Sequence, residues 1–265
     1  MGACPQSSRR KRAHTREISL GHYPIRIAFA KRSTNVSDTR NPLEIDQLVN
    51  IPSGRIELEG ELKLPRGTNA LVLFAHGSGS SRHSPRNQYV ARVIRDAGVG
   101  TLLFDLLTKP EEAEDAYTGH LRFNIEFLAK RLVDATKWIN SQQATQHFRI
   151  GYFGSSTGAA AALIGAVELK ELVAAVVSRG GRPDLAGEAL SQVRAPTLLI
   201  VGGEDDVVIR LNEEAFAQLS CVKQLKIIPR ATHLFEEPGT LEQVARLASD
   251  WFRTKLQPRA FKQTS

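Results

Sequence analysis

Cysteine is nearly missing from this chain: two among 265 residues, Cys4 and Cys221, far apart and in unlike surroundings. A disulfide framework is thereby set aside, and a reducing compartment, the cytoplasm, is the expected location. Also lacking is any apolar run near the ~20 residues that a membrane span needs, so a soluble protein with no transmembrane segment is expected. The histidines are scattered, with no two at ligand spacing beside a carboxylate, and no metal site is implied. The glycine-rich stretch after Ala75 lacks the lysine of a phosphate-binding loop. No cofactor of any kind is expected.

Excess basic charge is lacking in the body, although the net charge of +7 suggests otherwise. Residues 1–40 hold nine Lys or Arg against Glu17 and Asp38, and the remainder carries 26 basic and 26 acidic residues. The main domain therefore has no basic footprint for nucleic acid. The tail has no apolar core with a cleavage site, so it is not a secretory signal. Gln6 stands where a myristoylation signal needs Ser or Thr. A disordered basic extension over 1–50 is the first expectation. An organelle-targeting leader within residues 1–40 and upstream sequence from a misassigned start are its rivals.

What the chain does have is an alternation. Arg55–Pro65 alternates polar and apolar residues, which predicts a half-exposed strand at a sheet edge. Short, nearly unbroken apolar runs follow at Ala70–Ala75, Val99–Phe104, Phe148–Phe153, Val173–Val177 and Thr197–Val201, with a weaker one at Gln224–Ile228. Strands buried on both faces read this way. Helical stretches fall between them, at 87–97, 121–140, 158–169, 211–219 and 241–252. The pattern predicts one α/β domain over residues 51–256, a mostly parallel sheet with helices on both faces, and a short tail at 257–265. Binding sites in such sheets lie beyond the carboxyl ends of the strands.

One of those ends carries Gly154-Ser155-Ser156-Thr157-Gly158, a Gly-x-Ser-x-Gly pattern between a strand and an alanine-rich helix. In that setting the pattern marks a nucleophile elbow, with Ser156 held out over the positive end of the following helix. A serine hydroxyl needs a base to take its proton, and the base needs an orienting acid. The acid is expected after the strand Thr197–Val201, where Asp205 is the choice and Asp206 the rival one residue away. The base is expected after the last strand, where His233 stands. Thr157 and Ser78 are the expected backbone donors of an oxyanion hole, because glycines flank Ser78 and let the chain approach a ligand. His76 is expected to be structural. Three arginines, Arg82, Arg179 and Arg182, follow strands and are candidates to grip a substrate carboxylate. Their plainer reading is salt bridges to Asp184, Glu188 or Asp105. The acidic segment Lys109–His120 reads as a solvated loop too short for a lid.

With these residues assembled, the chain resembles the α/β-hydrolase superfamily, and within it the dienelactone hydrolase-like group, over residues 51–256. The resemblance rests on His76–Asn87, Gly154–Gly158, Gly202-Gly203-Glu204-Asp205 and Ala231-Thr232-His233. It implies the α/β-hydrolase fold with little or no lid, Ser156 as nucleophile, Asp205 as acid and His233 as base. The enzymes that give the group its name usually carry cysteine where this chain has serine, which weakens the case for a dienelactone substrate. The expected activity is hydrolysis of a small ester, thioester or lactone through an acyl-enzyme, with a small-molecule acyl substrate as partner. A non-catalytic module on the same fold is the alternative. A third reading gives the basic tail the main role, recruiting nucleic acid or an acidic membrane surface.

Overall fold

The apolar runs become the middle of an eight-stranded sheet in a computed structural model that describes Met1 and Leu43–Leu256. Its strands are β1 (Leu43–Ser53), β2 (Ile56–Pro65), β3 (Ala70–Ala75), β4 (Gly100–Phe104), β5 (Arg149–Ser155), β6 (Val173–Arg179), β7 (Thr197–Gly202) and β8 (Lys223–Ile228), ordered β1-β2-β4-β3-β5-β6-β7-β8. From β4 to β8 neighbours run parallel, while β1/β2 and β2/β4 run antiparallel. All residues of β3, β4 and β7 are buried. Expectations for the basic tail and for residues 257–265 lie outside the described residues, apart from Met1 and Leu43–Asn50.

That last segment, counted above with the extension, forms most of β1. It closes a hairpin with β2 across Gly54-Arg55, where Gly54 takes φ 64°, a left-handed angle that suits glycine. β1 therefore occupies the sheet edge that Arg55–Pro65 was expected to take. Its sequence signal is faint because most of the strand is exposed and few of its side chains, among them Ile45 and Ile51, reach the core.

Side chains on a strand alternate between faces, and β5 shows the consequence. Phe153 joins the cluster under α1 (Pro85–Asp96) and α6 (Thr240–Lys255), with Phe74, Val177, Ile200 and Phe252. Its neighbour Tyr152 turns to the other side, where its hydroxyl lies 2.6 Å from that of Thr136 on α3 (Ile125–Ser141). Beside α3 packs α4 (Thr157–Glu168), whose Ala159–Ala162 are fully buried. A helix apolar all round has no solvent face, and its alanines let it sit close to the sheet. α5 (Asp206–Gln218) follows β7.

The acidic segment is a helix, not a loop. α2 (Lys109–Thr118) opens with a capping box in which Thr108 and Glu111 satisfy each other's backbone N–H. Glu111 and Glu112 in its first turn suit the helix dipole. It is held by charge: Glu111 meets Arg131 of α3 at 2.6 Å, and the fully buried Asp115 takes Arg122 Nε at 2.6 Å. With no apolar stripe, its residues gave no helical period to read. No described helix is long and apolar enough to cross a membrane.

Candidate active site

Parallel strands end at one edge of the sheet, so the loops after β3, β5, β6 and β8 meet there around a cleft of about 740 Å³. Its lining includes Ser156, His233, Arg179, Glu112 and Arg122.

Ser156 caps α4 with φ 50° and ψ −124°, a backbone conformation that a side chain makes costly. Its neighbours explain how the turn fits. A Cβ at Gly158 would stand 2.2 Å from the carbonyl oxygen of Ala75, and one at Gly154 would stand 2.5 Å from Ala159 Cα. Neither position tolerates any other residue without moving backbone. The turn is also tied to β6: Ser156 N–H donates to the Arg179 carbonyl at 3.4 Å, and the Ser156 carbonyl accepts from Arg182 N–H at 3.0 Å.

His233 follows β8, and its Nδ1 lies 2.7 Å from Oδ2 of Asp205. Of the two adjacent carboxylates, Asp205 makes this contact, while Asp206 begins α5. The pair is asymmetric, with the carboxylate side chain 15% exposed and the imidazole, which lines the cleft, 40% exposed. Nδ1–H donating to the carboxylate leaves Nε2 free to accept a proton. No hydrogen bond joins His233 to Ser156 in this resting arrangement. Contacts of this kind often tighten only when substrate arrives.

The loop after β3 lies against the elbow. Ser78 N–H donates to Thr157 Oγ1 at 3.2 Å, and the two hydroxyls are 3.0 Å apart. Ser78 Oγ also donates to the Arg122 carbonyl at 3.1 Å. His76 holds the loop from beneath, as expected of a structural residue. Its Nε2 accepts Leu106 N–H at 3.0 Å, so Nδ1 carries the proton and donates to the Gly77 carbonyl at 3.0 Å. Burial lowers its pKa from the ordinary histidine value.

A test follows from that direction. The unfolded chain binds a proton at His76 as pH falls through about 6.5, while the folded chain resists it, so folding loses stability below that pH and is unaffected above it. The loss from this group reaches at most ~1.4 kcal/mol per pH unit. Thermal melts at pH 7.5 and 5.5 should show a steeper drop for wild type than for His76→Asn. Parallel lines for the two proteins would remove His76 as the source.

The three arginines separate. Arg82 is taken by Asp105 and Glu59, and Arg182 by Asp184 at 2.7 Å, which is the plainer reading of both. Arg179, 6% exposed, has no carboxylate partner among the described residues. Its Nη2 donates to Asn87 Oδ1 at 3.2 Å, and its guanidinium sits 5.9 Å from the Phe235 ring centroid. Burial, helped by nearby Arg86, lowers its pKa to about 10, so it stays charged at neutral pH. Asn87 closes the His76–Asn87 stretch and Glu112 lies in the acidic segment, yet neither was expected to hold Arg179 or to line the cleft, and Arg122 stands in a turn with no motif around it. Burial, and after it Asp105, raises the Glu112 carboxyl above its ordinary value.

Comparison with known proteins gives the family and the fold. A family model described as "Dienelactone hydrolase family" matches residues 88–260. The crystal structure of a dienelactone hydrolase from Anabaena variabilis is 57% identical, with a TM-score of 0.79 over 82% of this chain and 100% of that one. A Mycobacterium tuberculosis protein named "Putative phosphoribosyl transferase" is 56% identical over 207 residues, 78% of this chain but only 46% of that protein. The chain thus spans about half the length of this curated relative. Est1E from Butyrivibrio proteoclasticus, 14% identical with a TM-score of 0.66 over 78% of this chain and 98% of that one, shares the fold.

Proposed function

Starting from the fact that this chain belongs to the dienelactone hydrolase family, we propose that it is a serine hydrolase of a small ester, thioester or lactone. Ser156 Oγ bonds to the substrate's carbonyl carbon as His233 Nε2 takes its proton, with Asp205 holding the imidazole. The tetrahedral adduct then collapses, the bond from carbon to the leaving group breaks, and the proton returns to the departing oxygen or sulfur. Water, deprotonated by the same imidazole, releases the acid and restores Ser156. Backbone N–H groups of Thr157 and Ser78 receive the charge on the carbonyl oxygen. For Ser78 this requires Thr157 Oγ1 to give up the N–H it holds at rest.

One observation carries the reading: a serine held at φ 50° lines the same cleft as His233, whose imidazole is paired with Asp205. A binding module on this fold has no use for strain at that serine. The transferase name of the mycobacterial relative describes a protein more than twice the shared length, and such an activity can belong to the part this chain does not match. Cytoplasmic action on a small acyl substrate suits the two scattered cysteines.

A fluorophosphonate probe should label the protein once, at Ser156, and short p-nitrophenyl esters should be hydrolysed. Absence of labelling together with no hydrolysis of any ester or thioester would overturn the proposal.

A further inference from the structure

Ser156 and His233 reach the cleft on separate loops, and proton transfer between them fails unless something fixes their spacing. One short turn touches both. Residues 179–182 leave the end of β6 and wrap the elbow. The Arg179 carbonyl accepts Ser156 N–H at 3.4 Å, and Arg182 N–H donates to the Ser156 carbonyl at 3.0 Å. Between them Gly180, at φ 50°, lies against the base. A Cβ there would stand 3.0 Å from the His233 carbonyl oxygen and 3.7 Å from its Cε1.

The turn is fastened in turn to the elements that carry the acid. Gly180 N–H donates to the Ile200 carbonyl of β7 at 2.8 Å. The Gly181 carbonyl accepts from Nδ2 of Asn212 at 2.9 Å, and the same Nδ2 donates to the Val208 carbonyl at 2.8 Å. Asn212 stands on α5, the helix that Asp205 caps, and is 0% exposed. Its Oδ1 is buried with no partner among the described residues, a cost that an apolar side chain of similar size would avoid. Packing alone therefore does not account for an amide here.

We propose that Asn212 is a positioning residue of the hydrolase, which through the turn 179–182 sets the separation between the Ser156 hydroxyl and the His233 imidazole. This rests on the serine hydrolase reading above. Asn212 acts at a distance. The two backbone groups of the nucleophile and one side of the base share a turn, and the Asn212 amide ties that turn to the helix of the acid. A misplacement of about 1 Å at such a site costs on the order of a hundredfold in rate.

The test uses Asn212→Leu, which fills the site but cannot donate, and Gly180→Ala, which presses the turn against His233. Both are assayed on a short p-nitrophenyl ester and by the rate of fluorophosphonate labelling, with the final extent of labelling counting intact sites. Asn212→Leu should lose about 10- to 100-fold in kcat and in labelling rate per site, with KM within about threefold of wild type. Combined with Gly180→Ala, it should cost less than the product of the two single losses, because both act through one turn. Asn212→Ala, which only removes atoms, carries the same expectations where leucine is not accommodated. A residue that merely supports the fold would lower the melting temperature and the extent of labelling while sparing the rate per site. An unchanged rate per site, or losses that simply multiply, would overturn the positioning role and leave the hydrolase standing. Failure of wild-type Ser156 to label would overturn the hydrolase reading and this inference together.

Discussion

Alanine at position 156 is expected to lower kcat on any accepted ester by about four to six orders of magnitude, as loss of a triad nucleophile does. At 1.36 kcal/mol per tenfold, that is about 5–8 kcal/mol of transition-state stabilisation. The size follows from the covalent step. Without Oγ no acyl-enzyme forms, and His233 can only activate water at a carbonyl held by the remaining donors. Folding should survive, because alanine keeps the Cβ that the turn already accommodates at φ 50°. Steady-state rates and a thermal melt on the same sample check both halves. A variant that folds normally and keeps more than about a hundredth of the activity would remove Ser156 from the chemistry.

Asn in place of Asp205 should cost about a thousand- to ten-thousand-fold, whereas Asp206→Asn should change the rate only a few-fold. The carboxylate at 2.7 Å accepts Nδ1–H and so leaves Nε2 basic. An amide presenting its NH₂ to Nδ1 would favour the other tautomer, in which Nε2 carries the proton and cannot take one from serine. Asp206 sits in the first turn of α5, where its charge opposes the helix dipole's positive end and is worth a few tenths to 1 kcal/mol of stability. Rates for the two variants in the reverse order would move the acid to Asp206. Both proteins should label more slowly than wild type in proportion to their rate, which separates lost chemistry from lost protein.

Much of this site could be read before any coordinates. Six apolar runs became strands β3 to β8 with boundaries shifted by at most two residues, because buried parallel strands are apolar throughout and need no partner to look like strands. The elbow was equally plain, since Gly154 and Gly158 answer to a steric demand of the turn that almost no other residue meets. Elements held by charge or by one neighbour were harder. α2 relies on Arg131 and Arg122 rather than an apolar face, and β1 relies on the hydrogen-bond ladder of β2, so neither has a periodicity of its own.

The sequence by itself determined the alternation of strands and helices, the serine turn, and the order of serine, acid and histidine along the chain. These are local matters of side-chain size, polarity and backbone freedom, settled within a few residues of where they are read. Tertiary structure alone decided which of two neighbouring carboxylates meets His233, and which of three arginines keeps its charge unmatched. Asn87 and Arg179, or Asp205 and His233, stand 92 and 28 residues apart, and a hydrogen bond falls off within a fraction of an ångström. Pairings of that range depend on how the sheet edge brings its loops together.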